Sequence, residues 1–166
     1  MQFSVGVEYG LHCLLYLVGR PAGETLGIKE LAKFQGISES YLSKVFTKLR
    51  KAGIVRSTPG VKGGYELAMN PKDITFWQVI EAIEGKSYFF QCTGILRNIP
   101  LLTEEEQESM KDDCPCHIKY VMHDAEEVMR DYLRGKTLWW LHEEVGKVTT
   151  DEYKSGIVDW FAQARK

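Results

Sequence analysis

Apolar residues recur with helical period along most of this chain, and one short alternating segment interrupts them. Leu11, Leu14, Leu15 and Val18 repeat at i, i+3, i+4, i+7 and predict a first helix from about Val5 to Arg20. Ser4 stands at its N-cap position, and Pro21-Ala22-Gly23 stops it. Ile28, Leu31 and Ala32 form the inner face of a short second helix that Gly36 closes. Ser38 caps a third, with Tyr41, Leu42, Val45, Phe46 and Leu49 as its buried stripe. Ser40, Ser43, Lys44, Thr47, Lys48 and Lys51 are left facing outward.

The period then changes. Residues Ile54 to Ser57 and Tyr65 to Ala68 read as two strands around a tip holding Pro59, Gly60, Gly63 and Gly64, a β-hairpin wing. Thr75 caps a fourth helix with Phe76, Val79, Ile80 and Ile83 on one side and Gly85 at its end, so the core of this part is expected to be complete by about residue 85. Next come an aromatic patch (Tyr88, Phe89, Phe90), Cys92 and an acidic stretch. There Thr103 and Glu106 have capping-box spacing and predict a short helix over residues 104 to 112. From about Cys116 a long helix aligns Ile118, Val121, Met122, Ala125, Val128, Met129, Tyr132 and Leu133. Such a stripe suits packing against a second copy across a two-fold axis, against the first helix of the same chain, or both. Thr137 caps a short helix "LWWLHEEVG", and Tyr153, Ile157, Trp160 and Phe161 predict a final docked one.

The expected class is therefore mainly α with a small β-hairpin wing. Three segments are expected: a winged helix-turn-helix over 1–85, a cysteine-bearing loop region over 86–115, and a dimerisation helix with C-terminal helices over 116–166. The chain has 166 residues, 44% of them apolar, enough for a core. No apolar run reaches the length of a membrane span, and the N-terminal stretch lacks a basic lead-in or cleavage site. A cytoplasmic protein with no membrane partner is expected.

The net charge of −2 hides an asymmetry. Between Lys29 and Lys62 there are eight basic residues and two acidic ones, so this segment carries +6 and the remainder −8. A basic stretch in an acidic protein is the footprint of a phosphate-backbone surface; a solvated helix face is the alternative. The two short helices, the glycine turn and the basic outer face have the layout of a helix-turn-helix, whose second helix enters the major groove of double-stranded DNA. The glycines of the wing tip lack the Gly-x-Gly-x-x-Gly or Lys-Ser/Thr context of a nucleotide loop, so nucleotide binding is rejected. Nothing pairs a nucleophile with a base, and no enzyme is expected.

The segments "FS…EYGLHCLLYL", "IKELAKFQGISESYLSKVFTKLRKAGIVRS", "GGYELA", "ITFWQVIEAIEG" and "TLWWL", in order over residues 1 to 142, resemble the Rrf-two family of bacterial winged helix-turn-helix transcriptional regulators. That family includes an iron–sulphur cluster regulator, a nitric-oxide sensor and a cysteine-metabolism repressor. The resemblance implies a homodimeric regulator, expected to be a repressor, on a pseudo-palindromic operator, with a sensory loop before a long dimerisation helix. It places the recognition helix at Ser38 to Arg50. The DNA-binding residues implied are Ser38, Ser40, Tyr41, Ser43, Lys44 and Lys48, with Arg56, Lys62 and Gly63 on the wing. Where many relatives have Tyr-Leu-Glu-Gln, this chain has Tyr41-Leu42-Ser43-Lys44. Glutamate accepts from cytosine whereas lysine donates to guanine or phosphate, so a different operator is expected. Gly6 and Glu8 stand where relatives often carry lysine and arginine, and Pro59 replaces an arginine at the wing tip. A winged-helix module for protein interaction, without DNA binding, is the alternative.

In cluster-binding relatives three cysteines of the sensory loop hold an iron–sulphur cluster. Cys92 and Cys116 fall where the first and last of these would be; the middle place is vacant, and Cys114 stands two residues before Cys116. Cys92, Cys114, Cys116 and His117 number four ligands, enough for a 2Fe–2S cluster or for zinc, although Cys-Pro-Cys is a tight spacing for either. A thiol switch needs only one reactive cysteine and a resolving partner. Cluster, zinc, switch and inert thiols all stay open. Cys13 and His12 on the first helix are read as structural.

Overall fold

The computed structural model describes residues 2–60, 63–86, 88–95, 99–109 and 116–164, in two compact units. The larger comprises Gln2–Lys86 and Leu133–Lys166, the smaller Ser87–Tyr132.

In the larger unit, α1 (Val5–Leu15), α2 (Ile28–Gln35), α3 (Glu39–Lys51) and α4 (Phe76–Glu84) surround one core, and β1 (Val55–Thr58) pairs antiparallel with β2 (Gly64–Leu67). α2 stops because Gly36 adopts a left-handed conformation (φ 67°), which lets the Ile37 N–H reach the Ala32 carbonyl at 3.0 Å. α3 starts because the Ser38 hydroxyl accepts from the Tyr41 N–H at 3.2 Å. α4 starts with a full capping box between Thr75 and Gln78. Leu42, Phe46 and Leu49 of α3 are fully buried, each contributing about 1.5–3 kcal/mol of transfer free energy.

Four expectations change. α1 ends at Leu15 and continues only as turns to Gly19, and the Arg20 Nε donates to the Tyr16 carbonyl at 2.8 Å just past its end. Ser4 occupies the N-cap position without capping, since its Oγ donates to Glu84 at 2.6 Å instead. Tyr41 leaves the buried stripe: it is 37% exposed, with its ring edge-to-face with Tyr9 at 6.0 Å. Its hydroxyl lies 3.0 Å from where a Cβ on Gly6 would be, so the missing side chain there makes room for the phenol. The core is not complete at residue 85 either.

Two later helices, α7 (Leu138–Val148) and α8 (Asp151–Ala164), belong to the same unit. The start of α7 is tied beside that of α4: the Phe76 N–H donates to the Lys136 carbonyl at 2.8 Å and the Leu138 N–H to the Ile74 carbonyl at 2.9 Å. Leu138 is fully buried. α8 sinks Phe161 against Phe34 (4.9 Å) and Tyr16 (5.8 Å). These side chains come from beyond the wing, and they close a core that α1 to α4 leave open on one side.

The smaller unit contains α5 (Glu104–Ser109) and α6 (His117–Arg134) up to Tyr132. α5 begins with the expected Thr103–Glu106 box: the Thr103 N–H donates to Glu106 at 2.8 Å and the Glu106 N–H to the Thr103 hydroxyl at 3.3 Å. The first of these holds the Glu106 carboxyl below the usual carboxylate range. Residues 110 to 112 of the predicted helix lie outside the described residues.

Candidate nucleic-acid interface

The leading end of α3 is polar and open. Ser38, Ser40, Tyr41 and Lys44 are exposed and Ser43 half-buried, with the Ser38 and Ser40 hydroxyls 2.9 Å apart. Further along, the expected residues have other work. Lys48 donates its Nζ to the Ile83 carbonyl at 2.6 Å, at the negative end of α4, so its ammonium joins two helices. Thr47 donates to the Ser43 carbonyl at 2.8 Å within its own helix.

The wing is anchored through its root. Leu26 and Tyr65 exchange both backbone hydrogen bonds, at 2.9 and 2.7 Å, which attaches β2 to the segment before α2. A Cβ on Gly64 would lie 2.5 Å from the Leu26 carbonyl oxygen, and one on Gly63 would lie 2.1 Å from that of Thr58. Gly63 therefore has a steric reason to be glycine, independent of any phosphate. Arg56 donates its Nε to Glu66 at 3.0 Å across the hairpin, and the same carboxylate accepts from the Gly23 N–H at 3.0 Å. Arg56 first, then the Gly23 amide, holds the Glu66 carboxyl below its ordinary range. The guanidinium is exposed but already has a counter-charge. Lys62 lies outside the described residues.

Of the cysteines, Cys13 is fully buried on α1, and burial pushes its thiol up to about 12, which suits the structural role expected of it. Cys92 is half-buried, Cys116 is buried just before α6, and His117 is exposed as the first residue of that helix. Cys114 lies outside the described residues. Among the described residues no group of three or more His, Cys, Asp or Glu converges as metal ligands would, so they do not by themselves fit a 2Fe–2S or zinc cradle.

Sequence reasoning missed the clamp beside Cys92. Glu126, the one buried residue of α6, accepts from the Phe89 N–H at 3.2 Å and pairs with Arg130. The Arg130 guanidinium lies 5.2 Å from the Tyr88 ring centre, and Tyr88 stacks on His123 at 5.3 Å. The residues leading into Cys92 are thus strapped to α6. The available signal was Glu126 and Arg130 at i, i+4; a surface pair was the natural reading of it.

An α-helical pair joined by a glycine turn, a capped and polar second helix and a hairpin wing together match one known architecture. The Rrf2 family, described as an iron-dependent transcriptional regulator, matches residues 3–144. The chain belongs to the Rrf2 family. It is 40% identical over 98 residues to the HTH-type transcriptional regulator YffB of Lactococcus lactis, covering 59% of this chain and 63% of that protein. It is 30% identical over 138 residues to the HTH-type transcriptional regulator NsrR of Geobacillus kaustophilus, covering 83% and 87%. Its fold matches the oxidized form of Staphylococcus aureus CymR with a TM-score of 0.62 and 27% identity, over 86% of this chain and 97% of that one. This Rrf2 chain is a DNA-binding transcriptional regulator with a winged-helix fold. Among the described residues no helix is long and apolar enough to cross a membrane.

Proposed function

We propose that this Rrf2 regulator acts in the cytoplasm as a homodimer on a pseudo-palindromic operator, represses transcription and catalyses no reaction. Residues 1–85, with α7 and α8 completing their core, bind DNA, residues 86–115 sense, and α6 dimerises. The observation that carries the DNA reading is the open leading end of α3, where Ser40, Tyr41 and Lys44 stand on a capped helix with its apolar side buried. Each copy inserts this end into a major groove, with half-sites about one helical turn apart. Dimerisation is supported by α6, where Ile118, Val121, Ala125, Val128 and Tyr132 are all exposed at alternating steps of three and four, the seam of a coiled coil.

Within the expected contact set, Lys44 is the strongest candidate for reading base or phosphate, together with Ser38, Ser40, Tyr41 and Ser43. Lys48 acts by holding α3 to α4, Arg56 acts mainly within the wing, and Gly63 shapes its tip. Signal reading falls to Cys92, Cys114 and Cys116 as thiols, a role supported by the half-buried Cys92 three residues after the clamped Phe89 and by a structural neighbour whose oxidized form is known.

Operators selected from random duplex supply the test. Affinity should fall steeply with salt. Lys44→Ala should weaken binding by about 1–3 kcal/mol and Arg56→Ala by distinctly less. Mild oxidant should change the wild-type affinity but not that of Cys92→Ser. Failure to recover any duplex, or salt-independent binding, would sink the DNA reading in favour of a protein-interaction module; identical oxidant responses would remove Cys92 from the sensor.

A further inference from the structure

Between the end of α1, α7 and α8 the larger unit holds a cleft of about 880 Å³ that the DNA-binding reading does not use. Its size lies within the range of small-molecule sites, roughly 300–1,000 Å³. Leu15, Val18, Val145, Ile157 and Val158 give it apolar walls. One wall, α8, lies wholly beyond residues 3–144, the span of the family match. The helix is fixed there by Phe161, buried against Phe34 and Tyr16.

The polar lining includes several groups that can donate. His12, His142, Lys154 and Gln35 reach the cleft, and its acid, Glu24, is paired with Arg20, so the lining itself sums to +1; Lys154 also meets Asp151 at 3.4 Å, a solvent-exposed i, i+3 pair that contributes little and that a ligand carboxylate can replace. Gln35 donates its Nε2 to the Tyr16 hydroxyl at 3.1 Å, which leaves the phenol proton as a further donor. Burial first, and Tyr153 second among the causes, push the Tyr16 phenol up, so it keeps that proton. An apolar body with an acceptor head complements such walls.

We infer that this cleft binds a small organic acid, an apolar carboxylate, with its tail along the apolar residues of α7 and α8 and its head toward Tyr16, Gln35 and Lys154. The inference stands apart from the DNA reading, because binding is measured without duplex.

The test uses the full chain and three probes: 1-anilinonaphthalene-8-sulfonate by fluorescence, with octanoate and 1-octanol as competitors. The dye should saturate at one per chain, and octanoate should displace it at a concentration at least tenfold below that needed of 1-octanol. Gly146→Leu fills the cleft from α7, where a Cβ meets no atom within 4 Å, and a helical glycine replaced by leucine gains helix propensity. It should weaken the dye tenfold or more with unchanged circular dichroism and thermal midpoint. Lys154→Glu should abolish at least two-thirds of the preference for octanoate over octanol. Absence of saturable binding, wild-type affinity in Gly146→Leu, or equal displacement by octanol would each overturn the inference.

Discussion

α3 and α6 are both amphipathic helices, and they use their apolar faces in opposite ways. α3 buries Leu42, Val45, Phe46 and Leu49 and turns its serines and lysines outward. α6 leaves Ile118, Val121 and Val128 about two-thirds exposed (67%, 65% and 70%) and buries an acid, Glu126, at 6%. An apolar stripe states that something must cover it, not what does. For α3 the cover is the rest of its own unit. For α6 the proposed cover is a second copy, while the buried side is given to a charged clamp that holds Tyr88 and Phe89.

The contrast can be broken most forcefully at the seam. Val121→Glu with Val128→Glu places two carboxylates in each half of a dimer interface where each valine would otherwise gain roughly 1.5–3 kcal/mol. Sedimentation should show dimerisation weakened by about a thousandfold or more with helix content retained. Wild-type association would mean that the stripe meets something else.

A smaller effect is expected on the other side of the same helix. Glu126→Gln keeps the shape but removes the charge from a carboxylate that accepts from Phe89 and pairs with Arg130. The loss should be about 1.5–3 kcal/mol, read as faster hydrogen exchange of the Phe89 amide. Unchanged protection would show that the clamp does not hold the loop.

The root of the wing provides the third comparison, because there the close approaches are to backbone rather than to side chains. Gly64→Ala would force a methyl to 2.5 Å from the Leu26 carbonyl oxygen. It should destabilise the wing's attachment by about 1–3 kcal/mol, seen as a lower thermal midpoint. An unshifted midpoint would mean that the Leu26–Tyr65 bridge contributes little.

Much of the larger unit was legible because its signals are local. Ser38, Thr75 and Thr137 cap the helices their spacing predicted, and Gly36 ends the helix it was expected to end. The candidate interface was legible by residue type but not by role. Lys48 and Arg56 are basic and outward in any one-dimensional reading, yet Ile83 and Glu66, from other elements, engage them. Nothing near Lys48 in the chain announces the end of α4, thirty-five residues away.

By itself the sequence determined where most helices begin, which residues mostly share a face and where basic charge accumulates, since hydrogen-bonded caps, periodicity and composition act over a few neighbouring residues. Tertiary structure decided which faces are covered and which charges are answered. It carried Leu138 and Phe161 into a core that the first 85 residues leave incomplete, gave Gly63 and Gly64 their steric necessity, and turned Glu126 inward beneath an exposed apolar stripe. Burial and charge pairing depend on what arrives from elsewhere in space, and periodicity along the chain carries no record of that neighbour.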